Sequence, residues 1–427
     1  MAYKKSAYNV LIQRDNYTIA YNSYSGTLCK LDEAGVACLE NLDEDSPFFQ
    51  AMVGQGLIVD STLDEFGRVI REYNNYIHDD SPETLQYTIA LTTACNLRCV
   101  YCFEENHCPE YATKETMDAI VRFVYHELTY HPGIKNLHIT WFGGEPMLTY
   151  EQILDLSKRL IMVCKRRNVN YSAGMITNGL LLTEEKLQNL KDVGVKGIQV
   201  TLDGTPEQCE QIKKGKRKDF EQLLRNLPAF AKIVHVKIRL NACMENLDGI
   251  IELYRKLTMD RNPYSKVYIS KIEKYNEFSK TCTPLSEHEY TDFVIERMGE
   301  AVANGVDIMK ISRFPKRRKA YCGSMQKFSS AIGPDGSLYV CEHCIGDKTH
   351  VIGNVRYPMA PDEKPLTEYE AFTEKPYTAA CGLCNLFPIC LGGCPANRVI
   401  YNIPPDCEEF RKNVRNELIL AAEKYGK

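Results

Sequence analysis

Hydrophobic and polar positions alternate along the first part of the chain and then change period. Tyr8 to Gln13 and Tyr17 to Asn22 alternate around the polar turn Arg14-Asp15-Asn16, which predicts a β-hairpin. Leu31 to Leu42 repeats its apolar positions at helical spacing, with Asp32 and Glu33 in a first turn. Pro47 to Val53 fits a second helix, Gly56 to Asp60 a short strand and Thr62 to Tyr76 a third helix. A small module over residues 1–80 is expected.

A longer series follows. Leu85 to Leu91 reads as a strand, then Asn136 to Trp141 as a strand, Tyr150 to Arg167 as a helix, Tyr171 to Ile176 as a strand and Thr183 to Val193 as a helix. Gly197 to Leu202, His235 to Asn241 and Ser265 to Lys271 are further strands, separated by helices at Phe220 to Ala231 and Leu247 to Lys256. Repeated βα units require a parallel sheet, closed or partly closed, with functional groups at the carboxyl ends of its strands. The predicted class is α/β, a partial (β/α)6 TIM barrel over 85–305 with a bridging segment at 306–320. From Tyr321 the texture turns to Gly, Cys and Pro, as expected of a region (321–408) where metal replaces an apolar core. A helix from Cys407 to Tyr425 makes 409–427 a C-terminal helical segment.

Composition narrows the classes. A chain of 427 residues exceeds the size of a single core, so two or three domains are expected. With 52 Lys and Arg against 56 Asp and Glu, the net charge of -4 gives no bulk attraction to nucleic acid or an anionic membrane. Met1-Ala2-Tyr3-Lys4-Lys5-Ser6-Ala7-Tyr8 has no apolar core or cleavage site of a signal peptide, and no run approaches the ~18 apolar residues of a membrane span. A cytoplasmic protein is therefore expected. In a reducing compartment 18 cysteines are not a disulfide framework, and their CxxxCxxC and CxxC spacings point to metal.

The first such spacing is Cys95, Cys99 and Cys102. A trio leaves one iron of a four-iron cluster open, whereas an electron carrier or a structural zinc would take four ligands; half of a zinc site or a chance grouping is the other reading. Phe142-Gly143-Gly144-Glu145-Pro146 follows the next strand, either a close approach of backbone to a ligand or a turn that needs glycine. Thr177-Asn178-Gly179, Asp203-Gly204, and Arg239 with Asn241 end or occupy the following strands.

Taken in order, these motifs resemble those of radical SAM enzymes. The resemblance implies that the open iron chelates S-adenosylmethionine, that Tyr101 belongs to the cluster motif, and that Gly143, Gly144 and Glu145 engage the methionine amino group. Thr177 and Asn178 would contact ribose and carboxylate, with Asp203 on the same rim, and Arg239 would pair with the carboxylate through its two-pronged donor geometry.

Cys322, Gly336 and Cys341 are followed by Cys381-x2-Cys384-x5-Cys390-x3-Cys394 and by Cys407. This resembles the seven-cysteine SPASM domain; a pair of zinc ribbons is the alternative. By resemblance Cys381, Cys384, Cys390 and Cys407 ligate an outer cluster, and Cys322, Cys341 and Cys394 an inner one, for three [4Fe-4S] clusters in all. Where some relatives carry a further ligand this chain has Phe328, which cannot bind iron, so Cys344 is favoured as the fourth ligand; otherwise an open iron would face a substrate thiolate. Glu342 stands where sulfatase-maturing relatives place a proposed base, and is otherwise a solvated acid.

Cys29, Cys38, Cys164, Cys243 and Cys282 read as small buried hydrophobes or untasked thiols, and Cys108 and Cys209 have no assigned role. Lys213 to Lys218 and Lys316 to Lys319 read as solvated basic loop and linker, or as guides for an acidic peptide; Trp141 reads as core. The N-terminal module resembles a winged-helix peptide-recognition element that takes a leader peptide as an added strand, with a capping domain as the alternative. Together these predict a peptide maturase that forms an intramolecular thioether from a 5'-deoxyadenosyl radical, working on a ribosomally made precursor with a flavodoxin or ferredoxin-type donor. Carbon-carbon crosslinking, sulfatase-type oxidation and a non-catalytic iron-sulfur or zinc protein are the alternatives.

Overall fold

The computed structural model of the chain describes residues 2–80, 82–104, 108–259, 262–273, 282–312, 314–357 and 368–425. They form two compact units, one built from Met1–His78, Glu287–Gln326 and Thr367–Lys427, the other from Asp79–Ser286 and Lys327–Leu366.

In the first unit, β2 (Asn9–Gln13), β3 (Thr18–Asn22) and β4 (Leu28–Leu31) form an antiparallel sheet, while β1 (Tyr3–Lys5) pairs with β5 (Ile58–Asp60). The expected hairpin is the β2–β3 pair. The short β1 and β4 show no readable period, and Leu31 ends β4 because the Asp32 side chain caps α1 (Glu33–Asn41) by accepting from Gly35 N at 2.8 Å. Helix α2 (Phe49–Gly54) completes a core of Leu39, Phe49, Met52, Leu57 and Ile58. The other face of the sheet does not stand alone. Ile12, Ile19 and Tyr21 pack with Leu386, Ile389, Val414 and Leu418, and α3 (Glu65–Ile77) packs Val69, Tyr73 and Ile77 against Phe387 and Leu391. Residues 1–80 thus share their cores with the cysteine-rich C-terminal segment. The run Lys316 to Lys319 is also tied down, with Arg317 paired to Glu72 and stacked 3.9 Å from the Tyr24 ring centroid.

The second unit carries six parallel strands, β6 (Thr84–Ala90), β7 (Asn136–Phe142), β8 (Asn170–Thr177), β9 (Val195–Leu202), β10 (His235–Ala242) and β11 (Lys266–Lys271). Between them run α4 (Lys114–Tyr130), α5 (Tyr150–Arg167), α6 (Glu184–Asp192), α7 (Pro206–Lys213), α8 (Arg217–Ile233) and α9 (Leu247–Thr258). Leu137, Ile139 and Trp141 on β7 are fully buried while His138, Thr140 and Phe142 between them are not, and β10 repeats the alternation. A parallel sheet with both faces dry would be apolar throughout; here one face is polar, as a ligand-bearing cleft requires. Beyond β6 the sheet continues through β12 (Ser329–Ile332), parallel to β6, and antiparallel β13 (Ser337–Tyr339) and β14 (Val351–Asn354). The expected segment 321–408 is therefore divided, because its first strands extend the barrel sheet. Phe328 packs its ring 4.4 Å from that of His131.

Candidate active site

The carboxyl ends of the parallel strands gather the motifs. The cysteine loop is pinned by backbone bonds from Arg98 N to Lys213 O (3.0 Å) and Val100 N to Ile212 O (2.9 Å), and turns through Cys102 N to Cys99 O (3.0 Å). All three cysteines are half-buried thiols outside any disulfide. Burial pushes the thiols up, Cys99 to about 11 and Cys102 to about 12. Three thiols on a fixed loop, protonated unless a cation compensates them, could serve as ligands to a metal cluster, releasing their protons on binding.

The two glycines of the next loop have a specific use. Gly143 has φ +119, and a Cβ there would lie 2.2 Å from Thr92 O; one on Gly144 would lie 2.3 Å from Ala94 O. What the backbone approaches is thus the chain entering Cys95, held by Gly144 N to Thr92 O (3.2 Å) and Glu145 N to Ala94 O (2.9 Å). Glu145, 1% exposed, accepts from Met147 N (3.0 Å), Thr177 Oγ1 (2.7 Å) and Asn178 N (2.8 Å). Burial raises its carboxyl and these bonds oppose the rise. Its carboxylate therefore staples the end of β7 to the end of β8. Thr177 Oγ1 also accepts from Gly179 N (3.0 Å), and Asn178 reaches Asn96 Oδ1 at 2.7 Å and Cys95 Sγ at 4.0 Å.

Behind the trio lies a polar network. Tyr101 Oη donates to Asp203 Oδ2 at 2.8 Å and accepts from Asn241 Nδ2 (2.9 Å) and Lys213 Nζ (3.3 Å); Arg239 Nε donates to Asn241 Oδ1 at 2.9 Å. Lys213 Nζ is 3.6 Å from Asp203 Oδ1, with both side chains buried. Burial raises the Asp203 carboxyl against the pull of Lys213. Burial works against the lysine's charge too, but Asp203 and the nearby Cys99 raise its pKa. The sequence reading missed Lys213, whose basic run looks like a solvated loop. Asn246 was also missed; it donates to Asp203 O and Asn241 O at 2.9 Å each. Cys209, fully buried, accepts from Asp203 N at 3.3 Å. Beside Cys102, burial lifts the Glu104 carboxyl to about 8, and its Oε1 has no hydrogen-bond partner among the described residues.

The turn Glu342–Cys344 belongs to the same unit. The His343 ring stacks on Phe103 at 4.4 Å, and burial holds its imidazole below the ordinary value, Glu342 opposing and Arg239 assisting. Glu342 is half-buried, with Cys341 Sγ 3.7 Å from its Oε2; Cys344 is 1% exposed, its thiol pushed up to about 12 by burial.

In the first unit, Cys381, Cys384, Cys390 and Cys407 stand close enough that the charges of the other three act on Cys390, whose thiol burial has already pushed up to about 11. Arg411 Nη2 donates to Cys384 Sγ at 3.5 Å. A cavity of about 300 Å³ lies alongside, lined by Cys390, Cys394, Cys407, Arg318 and Tyr321. Cys322 and Cys394 belong to this unit, Cys341 and Cys344 to the other.

The parallel sheet is a partial barrel with a cysteine trio on its carboxyl rim. Residues 89–257 match the Radical SAM superfamily. Among curated proteins, the probable GTP 3',8-cyclase of Methanococcus maripaludis is 26% identical over 289 residues, 66% of this chain and 82% of that protein. The GTP 3',8-cyclase of Petrotoga mobilis is 26% identical over 228 residues, 51% of this chain and 65% of its own. Among solved structures, anSMEcpe with bound AdoMet and Cp18Cys peptide has a TM-score of 0.60 at 19% identity, covering 80% of this chain and 98% of that one. Streptococcus suis SuiB bound to precursor peptide SuiA has a TM-score of 0.55 at 14% identity, covering 94% and 98%. At these identities the structural likeness is one of fold. No described helix is long and apolar enough to cross a membrane.

Proposed function

We propose that this enzyme matures a ribosomally made precursor peptide, closing an intramolecular thioether between a cysteine sulfur and a carbon of the same peptide. The observation that carries the peptide reading is the N-terminal sheet with its three helices, which the fold shares over 94% of the chain with a protein solved on a precursor peptide. The curated cyclases match over 66% of the chain or less. A leader would add a strand to the β2–β3–β4 sheet, and a pocket of about 340 Å³ lined by Tyr8, Tyr24, Glu65 and Arg68 offers side-chain contacts in the same module.

Cys95, Cys99 and Cys102 would hold the cluster that the superfamily implies, and a loop-bound trio of thiols fits it. When bound, cluster and S-adenosylmethionine supply a one-electron cleavage that yields a 5'-deoxyadenosyl radical. The chain's own part is positional. Glu145 fixes the β7 and β8 ends, Tyr101 ties the cysteine loop to Asp203, and Asn241 fixes the Nε of Arg239 so that its remaining donors can meet a carboxylate. Cys381, Cys384, Cys390 and Cys407 would hold one auxiliary cluster. Cys322, Cys341, Cys394 and Cys344 would hold a second on the strength of their spacing alone, with a flavodoxin or ferredoxin-type protein as donor.

The test incubates anaerobically reconstituted enzyme with S-adenosylmethionine, reductant and the candidate precursor. Loss of two hydrogens with disappearance of one alkylatable thiol is expected, and Cys95→Ala should yield neither product nor 5'-deoxyadenosine. An unchanged peptide mass sinks the maturase reading. Loss of two hydrogens with all thiols retained would mean a carbon-carbon bond, and a hydrazide-reactive product a sulfatase-type oxidation.

A further inference from the structure

At the carboxyl end of β10 a second group of donors converges. Cys243 Sγ, Cys282 Sγ and a carboxylate oxygen of Glu245 all lie within 4.8 Å of one another. Both thiols are fully buried, whereas Glu245 is exposed. The chain returns to this spot after β11 and is fastened there: Met244 N donates to Thr283 O at 3.0 Å, Thr283 N to Glu245 Oε2 at 2.8 Å and Thr283 Oγ1 to Glu245 Oε1 at 2.6 Å. On the other side Cys243 N donates to Asn246 Oδ1 at 2.9 Å. Ile212 and Ile272 form an apolar wall, with Val100 and Tyr101 packed against it.

Two cysteines serving as small apolar side chains do not require a carboxylate fixed against them, although as protonated thiols they hydrogen-bond it and each other. Two thiols and a carboxylate are instead a donor set for a borderline-soft divalent ion, unsuited to calcium or magnesium, which prefer oxygen throughout. Thr283 supplies the hydrogen bonds that orient a ligating carboxylate. Glu245 is exposed, so water can supply a fourth ligand.

We propose that Cys243, Glu245 and Cys282 bind one zinc ion, which ties the chain at Cys282 to the end of β10 and steadies Asn241 and Asp203 through Asn246. The test measures zinc and iron by mass spectrometry in anaerobically purified holoenzyme grown with zinc, together with zinc-edge X-ray absorption on the same sample. About one zinc per chain is expected, with two sulfurs at about 2.3 Å and two lighter ligands near 2.0 Å. Cys243→Ser and Cys282→Ser should each lose that zinc with iron content unchanged, while Cys282→His, which keeps a ligand, retains it. The absorption measurement stands on the natural protein if a variant fails to fold. Zinc absent from the natural protein, zinc surrounded by four sulfurs and hence lodged in the cluster cysteines, or a Cys243–Cys282 disulfide in the anaerobic preparation would each overturn the proposal.

Discussion

Lys213 is the side chain whose environment departs furthest from its neighbourhood in sequence. It opens a run of basic residues, yet it is 3% exposed and its charge is matched by Asp203 within the polar network. Removing one partner of such a pair leaves an uncompensated buried charge, which costs about 3–5 kcal/mol. Lys213→Met should therefore lower the denaturation midpoint of the anaerobic enzyme, and adding Asp203→Asn should restore a large part of it. Equal midpoints for Lys213→Met and the natural protein would remove the pair from the account. The cysteine trio was legible because its members lie within eight positions of one another. Lys213 was not, because the side chains that bury it, Tyr101 and Asp203, are brought to it only by folding.

At the scale of elements, β7 and β8 carry a titratable contact outside the cluster sites. His138 shares a 2.9 Å hydrogen bond with Ser172 Oγ, and burial, assisted by Lys196 and Lys237, holds its imidazole below the ordinary value. The folded form is therefore neutral, while the unfolded chain takes up a proton below about pH 6.5. The stability this histidine contributes is complete above that value and is lost as the pH falls toward its folded value. Melting temperatures between about pH 7.5 and 5.5 should decline less steeply in His138→Gln than in the natural protein. The N-terminal helices make a separate prediction. Leu39 is 1% exposed in the core of α1, α2 and β5, and its truncation to Ala should cost about 2–5 kcal/mol. If this module binds the leader, Leu39→Ala should abolish peptide modification and leave peptide-independent 5'-deoxyadenosine formation intact; loss of both activities together would argue against a recognition role. Period alone located the hairpin and the helices. It passed over β1 and β4, strands of three and four residues.

For the whole molecule, the two compact units divide the cysteines differently from the expected domains. The four cysteines grouped around Cys390 fall within one unit that also holds the N-terminal sheet. Cys390→Ser should lower the iron content by about four per chain and stop crosslinking, while S-adenosylmethionine cleavage without peptide persists. Unchanged iron would show that this group holds no cluster.

The sequence by itself determined the spacing of the cysteines, the alternation of strands and helices and hence the parallel sheet, because spacing and period are local properties of a chain. Tertiary structure decided that Gly143 and Gly144 press against backbone, that Glu145 is a staple between strands, that Lys213 is buried, and that Cys243 meets Cys282. It also decided that residues 1–80 share a core with the C-terminal helix. Each of these depends on segments far apart in sequence returning to one place, where burial assigns a charge or a thiol its partner.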